Sequence, residues 1–424
     1  MKKISLINIF IGDLPWFFKL FLKSCETNPT IDFFIFTDNV LDYKVPHNVK
    51  IIPFTLTDFN QLATEKLGLT IEVNKGYKLC DFRPAFGVLF SEYLNGYDFW
   101  GITDIDVIYG RIREFMTDEL LEEYDTICVR HAFITACCML YKNNEYVNNL
   151  YKKSKDYKMI FTTPKNYAFD ETNFENSHNF IDIHDILKIN CEIESIQHVI
   201  VKEVDKGKLK AHFDLLLLEG TPGKLKWDNG LFSYNGKFEF MLYHLMYYKC
   251  NFFANNTLKW DKIPDVFYID KFDYRIDNSR FTRFKVRYDD TIKPFLWNLN
   301  KRIDCFLSYS LFRKKMTNLE EGNYAYYLNK KTILIGKNND GANYIKMNNT
   351  NDILLYKMIF NKGYFFAKNT GIICKTNTDY SNQYKRFDML YSTGHSNTYV
   401  KLENHLLNLN NCYSEFGKTM NTFA

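Results

Sequence analysis

Long apolar runs are missing from this chain. No stretch of about 18 or more apolar residues occurs in its 424 residues, so no membrane-crossing helix is expected. Closely spaced cysteine pairs of the C-x-x-C kind are also missing. The ten cysteines are scattered, apart from the adjacent Cys137-Cys138, which lies in a strand-like apolar run and reads as core. There is no strong charge excess either. The 54 basic and 50 acidic residues leave a formal net charge of +4, too balanced to suggest a nucleic-acid partner. The opening "MKKISLINIFIGDLPW" has the lysines and apolar run of a secretory leader. However, the run covers only residues 4–11, is interrupted by Ser5 and Asn8, and has no small-residue cleavage site after it. A first β-strand is expected there instead. These absences point to a cytoplasmic protein with reduced thiols.

What is present is aromatic and apolar. Hydrophobic residues make up 46% of the chain and aromatics 17%, enough for a full core. "ISLINIFI" (4–11), "TIDFFIFTDN" (30–39) and "VKIIPF" (49–54) read as strands. A helix is expected from Leu14 to about Cys25, capped by Asp13, with Pro15 tolerated in its first turn. Another is expected near 57–67. In "YKLCDFRPAFGVLFSEYLNG" (77–96), Phe82, Phe86, Leu89 and Phe90 share one helical face. Strands alternating with helices predict an α/β fold with a mostly parallel sheet, in which ligands bind beyond the carboxyl ends of the strands. Three polar clusters fall at such ends: Gly12-Asp13, Thr37-Asp38-Asn39 and Asp104-Ile105-Asp106. Further on, strands are expected in "TICVR" and "FITACCMLY" and a helix over 144–158. Asn229-Gly230 and Asn235-Gly236 are hairpin-turn signals.

The third cluster stands in "YDFWGITDIDVIYG" (97–110), where two carboxylates follow an apolar strand. Burying an ionised carboxylate unpartnered costs several kcal/mol or more. Either the pair lies in water at the strand end or a cation holds it. Two carboxylates one residue apart can share Mg²⁺ or Mn²⁺ with substrate phosphates. Alone, Asp-x-Asp is a common chance pattern, and a solvated loop explains it equally simply.

Its surroundings narrow the choice. "IGDLPWFFKLFLKSCETNP", "IDFFIFTDN", the long block "YKLCDFRPAFGVLFSEYLNGYDFWGITDIDVIYGRI", "FDE" (169–171) and "YHLMYYK" (243–249) occur in that order. Over roughly residues 1–260 they resemble the GT-A-fold, Asp-x-Asp glycosyltransferases, specifically bacterial members associated with capsule and lipopolysaccharide synthesis. The resemblance implies a Rossmann-like sheet with flanking helices and a catalytic domain over 1–264. It also implies a nucleotide-sugar donor, most simply a UDP-sugar, and a glycan or lipid-linked glycan acceptor. Asp104, Asp106 and His244 would hold Mn²⁺ or Mg²⁺, with Asp104 also near the donor ribose and Lys249 meeting the diphosphate. Gly12, Asp38, Lys78, Asp81 and Arg83 would line the donor pocket. Asp170 and Glu171 are the candidates for a general base if the transfer inverts stereochemistry. Each has a simpler reading beside it: His244 as a satisfied core residue, Asp81 as a helix cap, Asp38 and Gly12 as turn residues, and Asp170-Glu171 as a solvated loop.

Two rival functions use the same residues. "GITDIDVIYG" also resembles the strand-borne Asp-x-Asp-x-Val of haloacid dehalogenase phosphatases, with Asp104 as nucleophile and Asp106 as acid/base; that family needs a later acidic pair after another strand, and Asp289-Asp290 follows "FKVRY", which is too charged for a buried strand. A non-catalytic glycan-binding protein on a transferase scaffold is the other. Past residue 264 the character changes. A helical connecting segment is expected over 265–321. Its 293–316 stretch has an apolar face (Phe295, Leu296, Leu299, Ile303, Phe306, Leu311) ringed by Lys293, Lys301, Arg302, Arg313, Lys314 and Lys315. That pattern suits a helix docking the tail, or peripheral contact with the inner face of a membrane. Residues 322–424 read as a small β-rich or α+β accessory domain.

Overall fold

A computed structural model describes residues 1–174, 177–251, 253–296 and 299, and beyond 300 the backbone of seven strands. The chain forms two compact units, Met1–Asp290 and Thr291–Ala424.

The first unit contains strands β1 (Ile4–Phe10), β2 (Ile31–Thr37), β3 (Val49–Pro53), β4 (Phe99–Thr103), β5 (Val107–Tyr109), β6 (Thr126–Cys128), β7 (Cys138–Lys142), β8 (Ala211–Phe213), β9 (Leu217–Leu218), β10 (Leu225–Asp228), β11 (Leu231–Tyr234), β12 (Phe238–Glu239), β13 (Leu242–His244), β14 (Val266–Ile269) and β15 (Tyr274–Arg275). Seven of them make the main sheet, in the order β3-β2-β1-β4-β7-β6-β8. The run β3-β2-β1-β4 is parallel throughout, β7 is antiparallel to both neighbours, and β6 pairs parallel with β8. This is the mostly parallel α/β sheet expected from the strand–helix alternation.

Strand alternation explains the nearly continuous apolar runs. Ile4, Leu6, Phe33 and Ile35 enter one core layer, with Phe18 and Phe21 of the first helix. Ile7, Phe34, Phe36, Trp100 and Ile102 enter the other, with Phe59, Phe82 and Phe86. Both faces are covered, as parallel sheets require. At Gly101, in the middle of β4, a Cβ would lie 2.5 Å from the Met139 carbonyl and 2.6 Å from side-chain carbons of Leu6 and Leu140. Only glycine fits between these layers.

Local chemistry shifts several expected boundaries. The first helix spans Phe18–Glu26, later than Leu14, and has no side-chain cap. Pro15 instead accepts the Phe18 N–H at 3.0 Å in a turn, and Trp16 stacks on Tyr274 at 5.7 Å. The second helix, Leu56–Leu67, starts at a Thr55–Asp58 capping box and ends at Gly68 in the left-handed region. The stretch expected as one long helix is a 3₁₀ segment, Gly76–Ala85, followed by a single α turn, Phe86–Leu89. Pro84 cannot donate within it, and the eclipsed i, i+3 geometry of 3₁₀ winding suits the Lys78–Asp81 contact described below. The helix expected over 144–158 breaks into Glu145–Asn148, Leu150–Lys153 and Tyr157–Thr162. In "FITACCMLY", only Cys138 onward joins the sheet.

Two smaller sheets complete the unit, ordered β5-β13-β9 and β12-β11-β10-β14-β15. Asn229, Gly230, Asn235 and Gly236 all have positive φ, so both Asn-Gly pairs make the expected hairpins of the latter sheet. "FKVRY" belongs to a helix, Arg280–Arg287, continued by a π turn over Tyr288–Ile292. The stretch expected as an amphipathic helix over 293–316 lies outside the described residues from 300 onward. The second unit contains a four-stranded antiparallel sheet (Tyr324–Leu328, Lys331–Lys337, Asn343–Lys346, Tyr399–Lys401) and a three-stranded one (Leu355–Tyr356, Tyr364–Ala367, Ile372–Lys375).

Candidate active site

Asp104-Ile105-Asp106 is the hinge between two sheets. β4 belongs to the main sheet, and β5, beginning at Val107, belongs to the small one. Ile105 is 5% exposed and enters the core between the two carboxylates. The hinge is fixed from several sides. Asn8 Nδ2 donates to the Thr103 carbonyl at 2.7 Å, Asp104 N–H to the Cys137 carbonyl at 3.0 Å, and Leu245 N–H to the Asp106 carbonyl at 2.8 Å.

The register of β5 on β13 brings in the histidine. The two strands are antiparallel, with His244 opposite Val107. His244 therefore reaches Asp106, its Nε2 3.4 Å from Oδ2. Lys249 follows on the turn Met246–Lys249 and places Nζ 2.8 Å from the same oxygen. Ligand atoms of Asp104, Asp106 and His244 all lie within 4.8 Å of one another. Two carboxylate oxygens and an imidazole nitrogen are a donor set that Mn²⁺ or Mg²⁺ accepts, so the residues present fit such an ion.

At Asp106 the neighbouring cations outweigh burial. Burial pushes the Asp106 carboxyl up, but His244 and Lys249 outweigh it and hold it well below the usual range. Burial likewise disfavours an imidazolium at His244, and the Asp106 carboxylate reverses this, raising its pKa well above the ordinary value. Asp104 pairs with Arg83 Nη2, and Arg83 Nη1 reaches Asp170 Oδ2 at 3.1 Å. Arg83 thus bridges the hinge and the 169–171 loop. Burial raises the pKa of Asp170 well above its ordinary value, against the pull of Arg83. Glu171, raised by burial too, accepts the Ala136 N–H at 2.9 Å.

The other expected site residues fall into two places. Gly12 and Asp38 cap the carboxyl ends of β1 and β2, the same end of the parallel run as Asp104. There Gly12 N–H donates to Asp38 Oδ1 at 2.9 Å, and Asn39 Nδ2 to the Gly12 carbonyl at 2.6 Å. Gly12 has φ +106°, a backbone that L side chains rarely adopt. Lys78 and Asp81 point inward. They are 3% and 0% exposed and form an ion pair at 2.8 Å. Lys78 Nζ also donates to the carbonyls of Ile160 and Lys165, at 2.6 and 2.7 Å. Asp81 takes the N–H groups of Tyr167 and Phe169. Both side chains are spent on holding the loop that presents Asp170.

Sequence reading passed over Glu219 and Arg130. His244 Nδ1 lies 2.6 Å from Glu219 Oε1, and Glu219 Oε2 pairs with Arg130. A signal existed: Glu219 follows four leucines, the same acid-after-apolar-run pattern as Asp104. Cys137, expected as plain core, is buried but has its sulfur near Glu219 and His244.

Residues 6–276 match the family described as "Family of unknown function (DUF6625)". The chain belongs to this family. The matched DUF6625 region contains Gly12, Asp38, Arg83, Asp104, Asp106, Asp170, Glu171, Glu219, His244 and Lys249. No curated protein matches the chain. Among solved structures, the galactosyltransferase LgtC in complex with donor and acceptor sugar analogs is 11% identical, with 51% of this chain and 76% of LgtC covered and a TM-score of 0.29. Mouse xyloside xylosyltransferase 1 in its apo form is 12% identical, with 57% and 97% covered and a TM-score of 0.27. The apo glycosyltransferase GlyE of Streptococcus pneumoniae TIGR4 is 12% identical, with 52% and 47% covered and a TM-score of 0.23. No described helix is long and apolar enough to cross a membrane.

Proposed function

We propose that this chain is a metal-dependent glycosyltransferase of GT-A type, transferring sugar from a nucleotide-diphosphate donor, a UDP-sugar first among them, to a cell-surface glycan or lipid-linked acceptor. The observation that supports this most is the meeting of Asp104, Asp106 and His244 at the joint of two sheets. Asp104, Asp106 and His244 would hold Mn²⁺ or Mg²⁺. The ion would supply Lewis-acid neutralisation of the departing diphosphate.

The chain's own groups do the rest. Lys249 is within reach of the same carboxylate and offers a compact cation to a phosphate oxygen. Arg83 presents a rigid fork beside Asp104, held in place by Asp170. Gly12 leaves the backbone open at the ends of β1 and β2, beside Asp38, where a nucleoside would enter. Glu171 and Asp170, both raised in pKa by burial, are the candidates for moving the acceptor's proton in an inverting reaction. Contact of the 293–316 segment with an inner membrane surface belongs to the same proposal. The phosphatase alternative loses support, because its later acidic pair follows a helix instead of a strand.

The test is a screen of nucleotide sugars with Mn²⁺ present, read as donor hydrolysis or transfer, on wild type and Asp106→Asn. The substitution removes a ligand charge with little change in shape, so folding survives. Turnover falls on the order of a hundredfold or more, since charge stabilisation at the leaving group is lost. A folded Asp106→Asn protein transferring at the wild-type rate in a chelator would overturn the proposal.

A further inference from the structure

Cys137 immediately precedes β7 and is 1% exposed. Its carbonyl accepts the Asp104 N–H at 3.0 Å, which fixes it relative to the hinge. Its sulfur, an oxygen of Glu219 and a ring nitrogen of His244 lie within 4.8 Å of one another. Glu219 divides its oxygens, Oε1 toward His244 Nδ1 at 2.6 Å and Oε2 toward Arg130. His244 divides its nitrogens, with Nε2 facing Asp106 Oδ2 at 3.4 Å. Two donor sets therefore share one imidazole. The set with Asp104 and Asp106 is hard and oxygen-rich. The set with Cys137 and Glu219 contains a sulfur, which selects softer ions.

We infer that Cys137, Glu219 and His244 form a second metal site, for a thiophilic divalent cation such as Zn²⁺ or Cd²⁺, and that filling it withdraws His244 from Asp104 and Asp106. A neutral imidazole has one lone-pair nitrogen. An ion on Nδ1 leaves the ring proton on Nε2, as a donor facing the Asp106 carboxylate. An ion beside Asp106 needs the opposite tautomer, with Nδ1–H donated to Glu219. One ring cannot serve both ions as a neutral ligand. As the metal–sulfur bond forms, the Cys137 S–H bond breaks and its proton leaves to solvent. As the metal–nitrogen bond forms at Nδ1, the ring keeps one proton, on Nε2, and releases any other. Glu219 supplies Oε1 and retains Arg130 on Oε2. No electrons are exchanged. The site itself does not depend on the transferase reading. Its consequence does: a soft ion there acts as an inhibitor of hard-metal chemistry.

The experiment adds Cd²⁺ to the full-length protein and follows the thiolate-to-cadmium charge-transfer absorbance, with bound Mn²⁺ read by electron paramagnetic resonance. Wild type gives a saturable band, Cys137→Ser loses that component, and Asp106→Asn keeps it. Glu219→Gln weakens Cd²⁺ binding about tenfold or more and carries the comparison if Cys137→Ser does not fold. No band in wild type overturns the site. So does a band of wild-type affinity in folded Cys137→Ser or Glu219→Gln, or its disappearance from folded Asp106→Asn. Where Mn²⁺ is bound, one equivalent of Cd²⁺ releases it from wild type, and Cys137→Ser needs about tenfold more. Equal release from both overturns the antagonism. A wild type that binds no Mn²⁺ counts against both the transferase reading and the antagonism, while the cadmium band still decides the soft site.

Discussion

Arg83 concentrates the electrostatic demands of the site on one side chain. It lies against Asp104 and Asp170, with Glu171 close by, and these acidic neighbours keep it charged despite its burial. Arg83→Gln should destabilise the fold by about 3 kcal/mol, because it leaves buried carboxylates without a counter-charge. Chemical denaturation measures this, and adding Asp170→Asn should recover most of the loss. A double variant no more stable than the single one would show that Arg83 acts through packing alone. Residues of this kind are only half legible in a sequence. Asp104 and Asp106 could be picked out because two acids after an apolar strand conflict with burial. Lys78 is expected in the donor pocket, but a lysine before a helix reads the same whether it faces a ligand or, as here, the carbonyls of Ile160 and Lys165. Glu219 was missed because its importance comes from a histidine 25 residues away.

Elements were legible where one periodicity governed them. β1, β2 and β4 are buried on both faces and announce themselves as apolar runs. The capping box at Thr55 and the two Asn-Gly turns are chemical signals that no tertiary contact overrode. Segments that mix signals were misjudged. Pro84 and the Lys78–Asp81 pair wind 76–85 as a 3₁₀ segment, although its aromatics fit an α-helical face. The helix Ile196–Asp205 shows how such short elements are tied together. Its Glu203 receives Lys206 at 2.7 Å, the Tyr146 hydroxyl, and Lys153 at 3.4 Å, joining it to the broken helical stretch 145–153. Burial opposes ionisation of Glu203, but these donors prevail and lower its pKa from 4.5 to about 2. The folded pKa lies below the unfolded one, so its stabilisation is complete above pH 4.5 and lost as pH falls toward about 2. Glu203→Gln should therefore melt below wild type near neutral pH, with the gap closing through that window. A gap independent of pH would assign the effect to packing.

At the scale of the whole molecule, the first unit carries the main sheet, the hinge and every proposed site residue. A chain ending at Asp290 should fold and bind Mn²⁺ with nucleotide as tightly as the full chain, measured by calorimetry. A folded 1–290 protein with binding weakened about tenfold or more would give the second unit a part in the donor site. The joint between β5 and β13 also has a consequence in time. It pairs Asp106 with a histidine about 140 residues later, and closing a loop of that length costs about 4 kcal/mol of chain entropy. During synthesis the main parallel strands and the two aspartates emerge first, and the candidate ligand set of Asp104, Asp106 and His244 is incomplete until the ribosome has passed residue 244. The candidate site is thus incomplete for more than half of the chain's own synthesis. In the proposed reading, an ion bound once the late strand arrives would act as a clasp across this loop of about 140 residues.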